Sequence, residues 1–556
     1  MALNLAAAPF HLDADRLAWV EATFARLTPG QRLAQLFVLR RDLRDVAGTK
    51  RIHDFGPGGI TAAFGQASAA TEIADIAALT AATPVRPTVS ADLEGSRLSL
   101  PFGTEVPNPL ALAAVNDLTA SAEIARIMAE EARAIGINWS FTPVLDINAA
   151  FRSAIVATRG SGSDIAAIEA QIRTQIRVFQ QHGIAATAKH WPGEGYDDRD
   201  QHLVTTVIPL DLPEWERTFG RLYRAAIEAG VLSVMSAHIA FPAFVRALNP
   251  EAGIEAFKPA CVSQELTTTL LRQRLGFNGL IVSDATPMAG LGSWASRERF
   301  VPQLLAAGCD IILFSDDPFK DVIDIEAAMA RGELAQTRID EAVMRVLGLK
   351  AALNLHLPEA GTAPERLSRL GTPANVASAR AITARAPTLI KDVQNLLPLD
   401  PVKHKRILVL TPGIVEPWRP VALPFVLPDM LQAEGFEITL HAPETEITRG
   451  KFDLVLYLFG EETLLLRNRI FIDWQKLVGG HFGKAMARPW HDIPTAMISF
   501  GYPYYLYDAP RVPTYINAYA TMESMQSAVL DCLMGRAAWN TYSPVDAFCG
   551  LEDARF

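Results

Sequence analysis

The sequence is poor in cysteine and has no excess of positive charge. Its four cysteines are far apart and form no C-x-x-C pair: Cys261, Cys309, Cys532 and Cys549. This spacing argues against a disulfide framework and against a structural zinc site, and it predicts buried free thiols. Lysine and arginine number 51 against 61 aspartates and glutamates, a net charge of −10. A dedicated nucleic-acid-binding protein normally carries a basic excess, so the composition argues against that function.

Long apolar runs are missing as well. No apolar stretch reaches the ~18 residues that are needed to cross a bilayer. Residues 1–12 have no basic segment ahead of their short apolar stretch, so no signal peptide is expected. We therefore expect a cytoplasmic protein that contacts neither a membrane nor nucleic acid. Self-association into a homo-oligomer is compatible with the sequence.

The sequence is rich in alternating strand-like and helix-like segments. With 556 residues, 49% hydrophobic and 20% charged, the chain has the length of two or three globular domains. From about Gly58 to Leu355, short apolar runs alternate with alanine-rich segments whose apolar residues recur every three or four positions. The predicted strands are Gly59–Ala62, Pro87–Ala91, Trp139–Pro143, Ala185–Lys189, Leu232–Ala237, Leu280–Ser283 and Asp310–Phe314.

Helix-like segments separate these strands, and they set the fold class. They include Ala120–Ile135, Ile165–His182 and Pro213–Ala229. Strands that alternate with helices predict a parallel sheet with right-handed crossovers. Seven or eight such units favour a (β/α)8-type, TIM-like barrel, with an open sheet as the alternative.

A second α/β domain is predicted after the barrel. We expect the barrel in residues 1–356, a linker rich in proline and glycine in residues 357–374, and a C-terminal α/β sandwich domain in residues 375–556. Three strand-like runs support this second domain: Arg406–Leu410, Leu454–Phe459 and Ala496–Phe500.

Polar residues collect where the predicted barrel strands end. They are Asp92, Glu94, Arg97, Lys189, His190, His202, His238 and Asp284. Each has an ordinary structural interpretation, since an aspartate at a strand end often caps the next helix and a single histidine is often just a satisfied core residue. In a barrel, however, the carboxyl ends of the strands form the rim that carries function. Their convergence on one rim therefore predicts an active site, although periodicity alone names no reaction.

Ordered motifs along the chain resemble glycoside hydrolase family 3, and most closely its bacterial β-N-acetylglucosaminidase branch. The segment Lys189-His-Trp-Pro-Gly193 with Asp200-Gln-His202 resembles that family's K-H-F-P-G…D-S-H signature. Further segments match in order over about residues 25 to 550: Asp92-Leu-Glu-Gly-Ser-Arg97, Phe141-Thr-Pro-Val-Leu-Asp-Ile-Asn148, Thr158-Arg-Gly-Ser-Gly162, Val234-Met-Ser-Ala-His238 and Val282-Ser-Asp284.

The resemblance implies an exo-acting enzyme that removes terminal β-linked N-acetylglucosamine from cell-wall or chitin-derived fragments, with retention of configuration. It assigns the nucleophile to Asp284 and the general acid/base to His202, supported by Asp200. It assigns substrate binding to Asp92, Arg97, Arg159, Lys189, His190 and His238. No cofactor and no catalytic metal are expected, since the histidines lack the i, i+4 helical spacing of a zinc site.

Three departures from the family pattern keep alternatives open. Ser96 replaces a glycine, Leu100 replaces an arginine of the sugar-binding loop, and Glu194 replaces a histidine. Glu194 either adds negative charge beside the catalytic loop or faces solvent. One alternative is a phosphorylase or another β-glycosidase of the family. A β-glucosidase-like mechanism would take its acid from the second domain, with Glu461 or Glu462 as candidates. The last alternative is a sugar-binding homologue without catalysis.

Overall fold

The computed structural model describes residues 3–42, 45–63, 68–358 and 361–556. In its first half, eight parallel strands surround a common axis. They are β1 (Phe37–Asp42), β2 (Gly59–Ala63), β3 (Thr88–Ala91), β4 (Trp139–Ser140), β5 (Thr187–Trp191), β6 (Ser233–Ser236), β7 (Leu280–Ser283) and β8 (Ile312–Leu313).

The eight strands close into a barrel. Strand β1 pairs with both β2 and β8, and the pairing continues through β3 to β4. Strands β5, β6 and β7 form a second parallel group. Bridges from Trp139 to Ala185 and from Val282 to Ile311 join the two groups, one on each side. The predicted TIM-like barrel is confirmed, and the open-sheet alternative is wrong.

Helices surround the barrel, and the one at Leu118–Ile135 shows why they form. Asp117 caps its first turn, Gly136 ends it in the left-handed conformation, and its buried face includes Ile124 and Ile135. The described helices of this half are Ala14–Arg26, Pro29–Ala34, Val46–Phe55, Ala69–Ala82, Pro109–Val115, Leu118–Ile135, Ile165–Gln181, Leu212–Arg217, Phe219–Glu228, Pro242–Leu248, Ala289–Gly292, Arg297–Ala307, Pro318–Ala330 and Gln336–Ala352, with a π-helical segment at Glu265–Arg274.

Two elements of the barrel differ from the prediction. Strand β1 was not predicted, because it carries two arginines, one of which, Arg41, is buried and paired with Glu72. The predicted helix over Pro213–Ala229 is two helices, which meet at Thr218, where the backbone leaves the helical region.

The second half contains one six-stranded sheet. Its strands are β9 (Thr388–Asp392), β10 (Arg406–Leu410), β11 (Glu437–Leu440), β12 (Leu454–Phe459), β13 (Thr495–Ser499) and β14 (Thr514–Asn517). Their order across the sheet is β9-β14-β13-β12-β10-β11, and only β9 is antiparallel among them. The described helices around it are Pro373–Thr383, Leu427–Ala433, Trp474–Leu477, Phe482–Met486 and Glu523–Leu533. The second α/β domain is thereby confirmed, and the three strands that were predicted match β10, β12 and β13.

The segment between the domains is not bare loop. Part of the predicted linker, Ala363–Leu367, is a helix, and Arg366 donates from Nε to the carbonyl oxygen of Ala134. Residues 359 and 360 of this linker lie outside the described residues. The proposed boundaries at 356 and 375 stay predictions. No helix in the described part of the chain is long and apolar enough to cross a membrane.

The second domain sits on the carboxyl-end rim of the barrel. The sheet order reverses direction between β10 and β12, and open parallel sheets bind ligands outside the carboxyl ends of their strands at such a switch point. The loop after β12 reaches the barrel, where Thr463 Oγ1 donates to the carbonyl oxygen of Ala154 at 2.8 Å. The switch point of one domain therefore faces the functional rim of the other.

Candidate active site

A network of opposite charges forms the floor of the site. Lys189, inside β5, donates from Nζ to Asp92 and to Glu94 at 2.7 Å each. Arg159 binds Glu94 in a bidentate pair at 2.8 and 3.0 Å. Burial acts to raise the pKa of the Glu94 carboxyl, but Arg159 and Lys189 outweigh it and hold that pKa far below its usual range. Glu94 therefore remains a carboxylate that orients both cations.

Asp92 is the open end of this network. Its side chain is 45% exposed, whereas Lys189 is almost fully buried. A carboxylate accepts hydrogen bonds only, so Asp92 has oxygen lone pairs left for hydroxyl groups. This placement agrees with the sugar-binding role that the resemblance implies for Asp92, Lys189 and Arg159, and those roles stay predictions.

His190 is fixed by a buried carboxylate that the sequence analysis did not single out. Its Nδ1 lies 2.6 Å from Asp146 Oδ2, and its backbone N–H donates to Asp146 Oδ1 at 3.1 Å. Arg159 Nη2 lies 3.4 Å from His190 Nε2. Nδ1 is the ring atom that faces the Asp146 carboxylate, so Asp146 sets the orientation of the His190 ring.

Asp200 and His202 form a pair on the loop that follows β5. Asp200 Oδ1 accepts from His202 Nδ1 at 2.7 Å and from the His202 backbone N–H at 2.8 Å. Its Oδ2 accepts from the backbone N–H of Leu466, in the second domain, at 2.9 Å. Burial acts to raise the pKa of Asp200, but these bonds and the His202 ring lower it overall. The His202 side chain is 23% exposed, so the ring held by Asp200 stays accessible, and its acid/base role stays a prediction.

Asp284 follows β7 and lies among three histidines. Its Oδ1 accepts the backbone N–H of Ala285 at 2.7 Å. Burial acts to raise the pKa of Asp284, but His190, His238 and His202 outweigh it, so the net shift is downward. Asp284 is only 8% exposed. It is therefore a largely desolvated carboxylate that remains ionised at neutral pH.

His238 differs from the other predicted site residues because its ring is fully buried and engaged by the protein. Its Nε2 lies 3.0 Å from the carbonyl oxygen of Ala285, and its Nδ1 lies 3.2 Å from Cys261 Sγ. Burial lowers the pKa of His238. In this arrangement the ring supports the residue after Asp284, and its predicted contact with sugar stays a prediction.

A narrow cavity of about 20 Å³ lies between the rim and the second domain. Arg97 lines it and donates from Nε to Thr521 Oγ1 at 2.7 Å, and its Nη1 lies 3.4 Å from Glu416. Trp418 and Pro417 of the second domain also line it. The second domain therefore contributes two partners of Arg97, Thr521 and Glu416, and an aromatic side chain, Trp418, beside the predicted sugar site.

Glu462 joins the two domains. Its carboxylate accepts hydrogen bonds from Ser96 Oγ at 2.7 Å, Asn108 Nδ2 at 3.0 Å, and the N–H and Oγ1 of Thr521 at 2.8 and 2.6 Å. The departure at Ser96 thus supplies a donor across the interface. The neighbouring carboxyl, Glu461, accepts from Tyr505 instead, and burial raises its pKa to about 7.

Replacing Glu462 by alanine is expected to destabilise the protein by about 2–3 kcal/mol, since it leaves buried donors unpaired. A lower urea midpoint would report this loss. The exposed Glu444 provides the matched control, because surface changes usually stay within about 0.5 kcal/mol. A midpoint for Glu462→Ala equal to that of Glu444→Ala would show that Glu462 does not hold the domains together.

One group of residues has the composition of a metal site. Asp146, His190 and Glu194 offer ligand atoms that lie within 4.8 Å of one another. Asp146, however, already accepts from His190 Nδ1 and from the backbone N–H groups of His190 and Glu194. Asp146 and His190 are hydrogen-bonded to each other and the Glu194 carboxyl accepts from Gln201, so we assign no ligand set, and the expectation of no catalytic metal stays a prediction.

Comparison with known proteins identifies the family to which the chain belongs. A model of the glycosyl hydrolase family 3 N-terminal domain matches residues 31–349. The β-N-acetylglucosaminidase/β-glucosidase of Cellulomonas fimi is 38% identical over 575 residues and 99% of both chains. Among solved structures, the β-glucoside phosphorylase BglX superposes with a TM-score of 0.91 at 31% identity over 99% of both chains. A family 3 β-N-acetylglucosaminidase from Paenibacillus sp. superposes at 0.80, with 25% identity over 94% of this chain and all of that one. As its ordered motifs predicted, the chain belongs to glycoside hydrolase family 3.

Proposed function

We propose that this enzyme removes terminal β-linked N-acetylglucosamine from cell-wall or chitin-derived fragments, through a covalent intermediate on Asp284. One observation carries the proposal. An ionised, desolvated carboxylate and a histidine–aspartate pair lie on the same barrel rim, beside a network of donors suited to sugar hydroxyls. The C. fimi relative is named for both N-acetylglucosaminide and glucoside cleavage, so glucosides belong in the test.

In the first step, protonated His202 donates its proton to the glycosidic oxygen while an Asp284 oxygen attacks the anomeric carbon. The bond between that carbon and the leaving oxygen breaks, the aglycone departs as an alcohol, and the sugar stays bound to Asp284 as an ester. Asp200 stabilises the imidazolium before transfer, because it is a carboxylate 2.7 Å from Nδ1.

In the second step, neutral His202 accepts a proton from water as the water oxygen attacks the anomeric carbon. The ester bond to Asp284 breaks and the carboxylate is restored. Two displacements at one carbon return the β configuration. An imidazole suits both steps, since a free one titrates near ~6.5 and so exchanges protons at neutral pH.

Phosphate in place of water is the second candidate, and two observations favour it. The acid/base is a histidine, and a neutral imidazole does not repel an incoming phosphate as a carboxylate would. The structure that superposes over 99% of both chains is named a β-glucoside phosphorylase. Attack by a phosphate oxygen would release a sugar 1-phosphate.

Turnover of paired aryl β-glycosides separates these functions. We expect release from the N-acetylglucosaminide without phosphate, with free sugar as product. The same assay with the glucoside, and with phosphate or sulfate at equal ionic strength, separates sugar preference from a salt effect. Release that requires phosphate and yields a sugar 1-phosphate would replace hydrolysis by phosphorolysis. Binding of both glycosides without release would contradict both enzymatic proposals.

A further inference from the structure

Glu194 is a buried carboxyl group without a cation of its own. It is 3% exposed, so the expectation that it faces solvent is wrong. Its Oε2 accepts from Gln201 Nε2 at 3.1 Å, and its Oε1 has no hydrogen-bond partner in the described chain. The nearest cationic candidate is His190, whose Nδ1 is 3.6 Å from Oε2 and already donates to Asp146.

The groups that face Glu194 disfavour its charge. They are the carboxylates of Asp146, Asp200 and Asp284, the ring of His190, the phenol of Tyr223 and the guanidinium of Arg159. The Arg159 guanidinium is already engaged in a bidentate pair with Glu94. Burial and then the nearby carboxylates raise the pKa of Glu194 well above its usual range. Burial without a cation of its own therefore favours the protonated form of this side chain.

Glu194 and Gln201 together fasten the acid/base loop, residues 193–204, to the barrel. Gln201 stands between Asp200 and His202, and its Oε1 accepts the backbone N–H of His238 at 3.1 Å. At the other end of the loop, the backbone N–H of Glu194 donates to Asp146 at 3.2 Å. The Glu194 carboxyl therefore connects the start of the loop to Gln201, which lies between the proposed catalytic residues Asp200 and His202.

The loop lies directly against the barrel. A Cβ atom on Gly193 would come within 2.3 Å of the Phe219 ring, and one on Gly195 within 1.9 Å of the carbonyl oxygen of Ile147. Both glycines also have positive φ angles. The loop therefore packs against the barrel without free volume. A repulsive charge inside the loop would displace His202.

We propose that Glu194 is a positioning residue that holds the acid/base loop in place through Gln201 while it carries a proton, and that a negative charge at this position releases the loop. On ionisation, its proton leaves to solvent and a fourth carboxylate stands among Asp146, Asp200 and Asp284. The consequence for turnover rests on the proposed role of His202, whereas the loop movement does not.

The test compares the full-length wild type with Glu194→Gln, Glu194→Ala and the control Asp198→Asn. Glutamine keeps an acceptor for Gln201 but cannot ionise, alanine removes the acceptor, and Asp198 is an exposed carboxylate on the same loop. Hydrogen exchange of residues 193–204 is followed from about pH 6 to 10, with intrinsic rates corrected. kcat and KM for an aryl β-glycoside are measured over the same range.

We expect wild type and Asp198→Asn to lose loop protection at alkaline pH, while Glu194→Gln keeps it. Because the proposed first step needs a protonated acid, kcat falls at alkaline pH in every variant, and the fall should be smaller in Glu194→Gln than in wild type. Glu194→Ala should leave the loop unprotected at every pH and lower kcat about tenfold, with a smaller change in KM. An alkaline loss of loop protection in Glu194→Gln equal to that of wild type would overturn the proposal, as would wild-type protection in Glu194→Ala. The exchange measurement needs no turnover, so it decides the loop's behaviour even if the enzyme proves not to act on these glycosides.

Discussion

Replacing Asp284 by alanine is expected to reduce kcat on an aryl β-glycoside by about 10⁴-fold or more, because the proposed covalent route loses its nucleophile. The substitution also removes the charge around which His190, His202 and His238 are arranged. Thermal unfolding of the variant establishes that the loss is chemical, not structural. Asp316→Ala is the matched control, since this exposed aspartate follows the neighbouring strand β8 and should leave kcat unchanged.

Azide makes this prediction specific to a nucleophile. A small anion that enters the space left by the carboxylate attacks the anomeric carbon directly, so Asp284→Ala with azide should release aglycone and form the α-glycosyl azide. Asp316→Ala and wild type should form none of it. Full activity of Asp284→Ala, or a β-configured azide product from it, would remove Asp284 from the nucleophile's role.

Much of the barrel could be predicted because its signals are local. Seven of the eight strands are short apolar runs between helical periods, and the rule that function collects at carboxyl ends brings Asp92, Lys189, His190 and Asp284 to one rim. Strand β1 could not be predicted in this way. Its Arg41 is acceptable in a buried strand because Glu72, 31 residues away, and Asp75 pair with it, and periodicity contains no such information.

The partners within the site were harder to predict than its members. Asp146 stood within a recognised motif, yet its function as the acceptor for His190 depends on a contact across 44 residues. Glu462 and Ser96 are 366 residues apart, so the sequence did not predict the hydrogen bond between them. Glu194 had two opposite interpretations, and burial, which the fold alone decides, excludes the one in which it faces solvent. Residue types indicated the chemistry, whereas long-range packing determines which partner each group has.

Replacing His202 by alanine is expected to lower kcat/KM by about 10²–10⁴-fold for substrates with poor leaving groups, because the departing oxygen loses its proton donor. Glycosides with strongly acidic phenol leaving groups need little protonation, so their loss in the first step should be much smaller. Comparison of a dinitrophenyl and an unactivated alkyl β-glycoside measures this contrast. His491→Ala, an exposed histidine of the second domain, is the control and should affect neither.

Asp200→Asn distinguishes the pair from a lone histidine. The amide is close in shape to the carboxylate but lacks the charge that stabilises the imidazolium. It also has one acceptor oxygen in place of two, so His202 Nδ1 and the Leu466 N–H must compete for it. We expect a loss of about 10²-fold that, like that of His202→Ala, grows with leaving-group basicity. The double variant should lose little more than His202→Ala alone, since Asp200 acts through that ring. Additive losses would mean that Asp200 contributes by another route, through the loop or through the second domain.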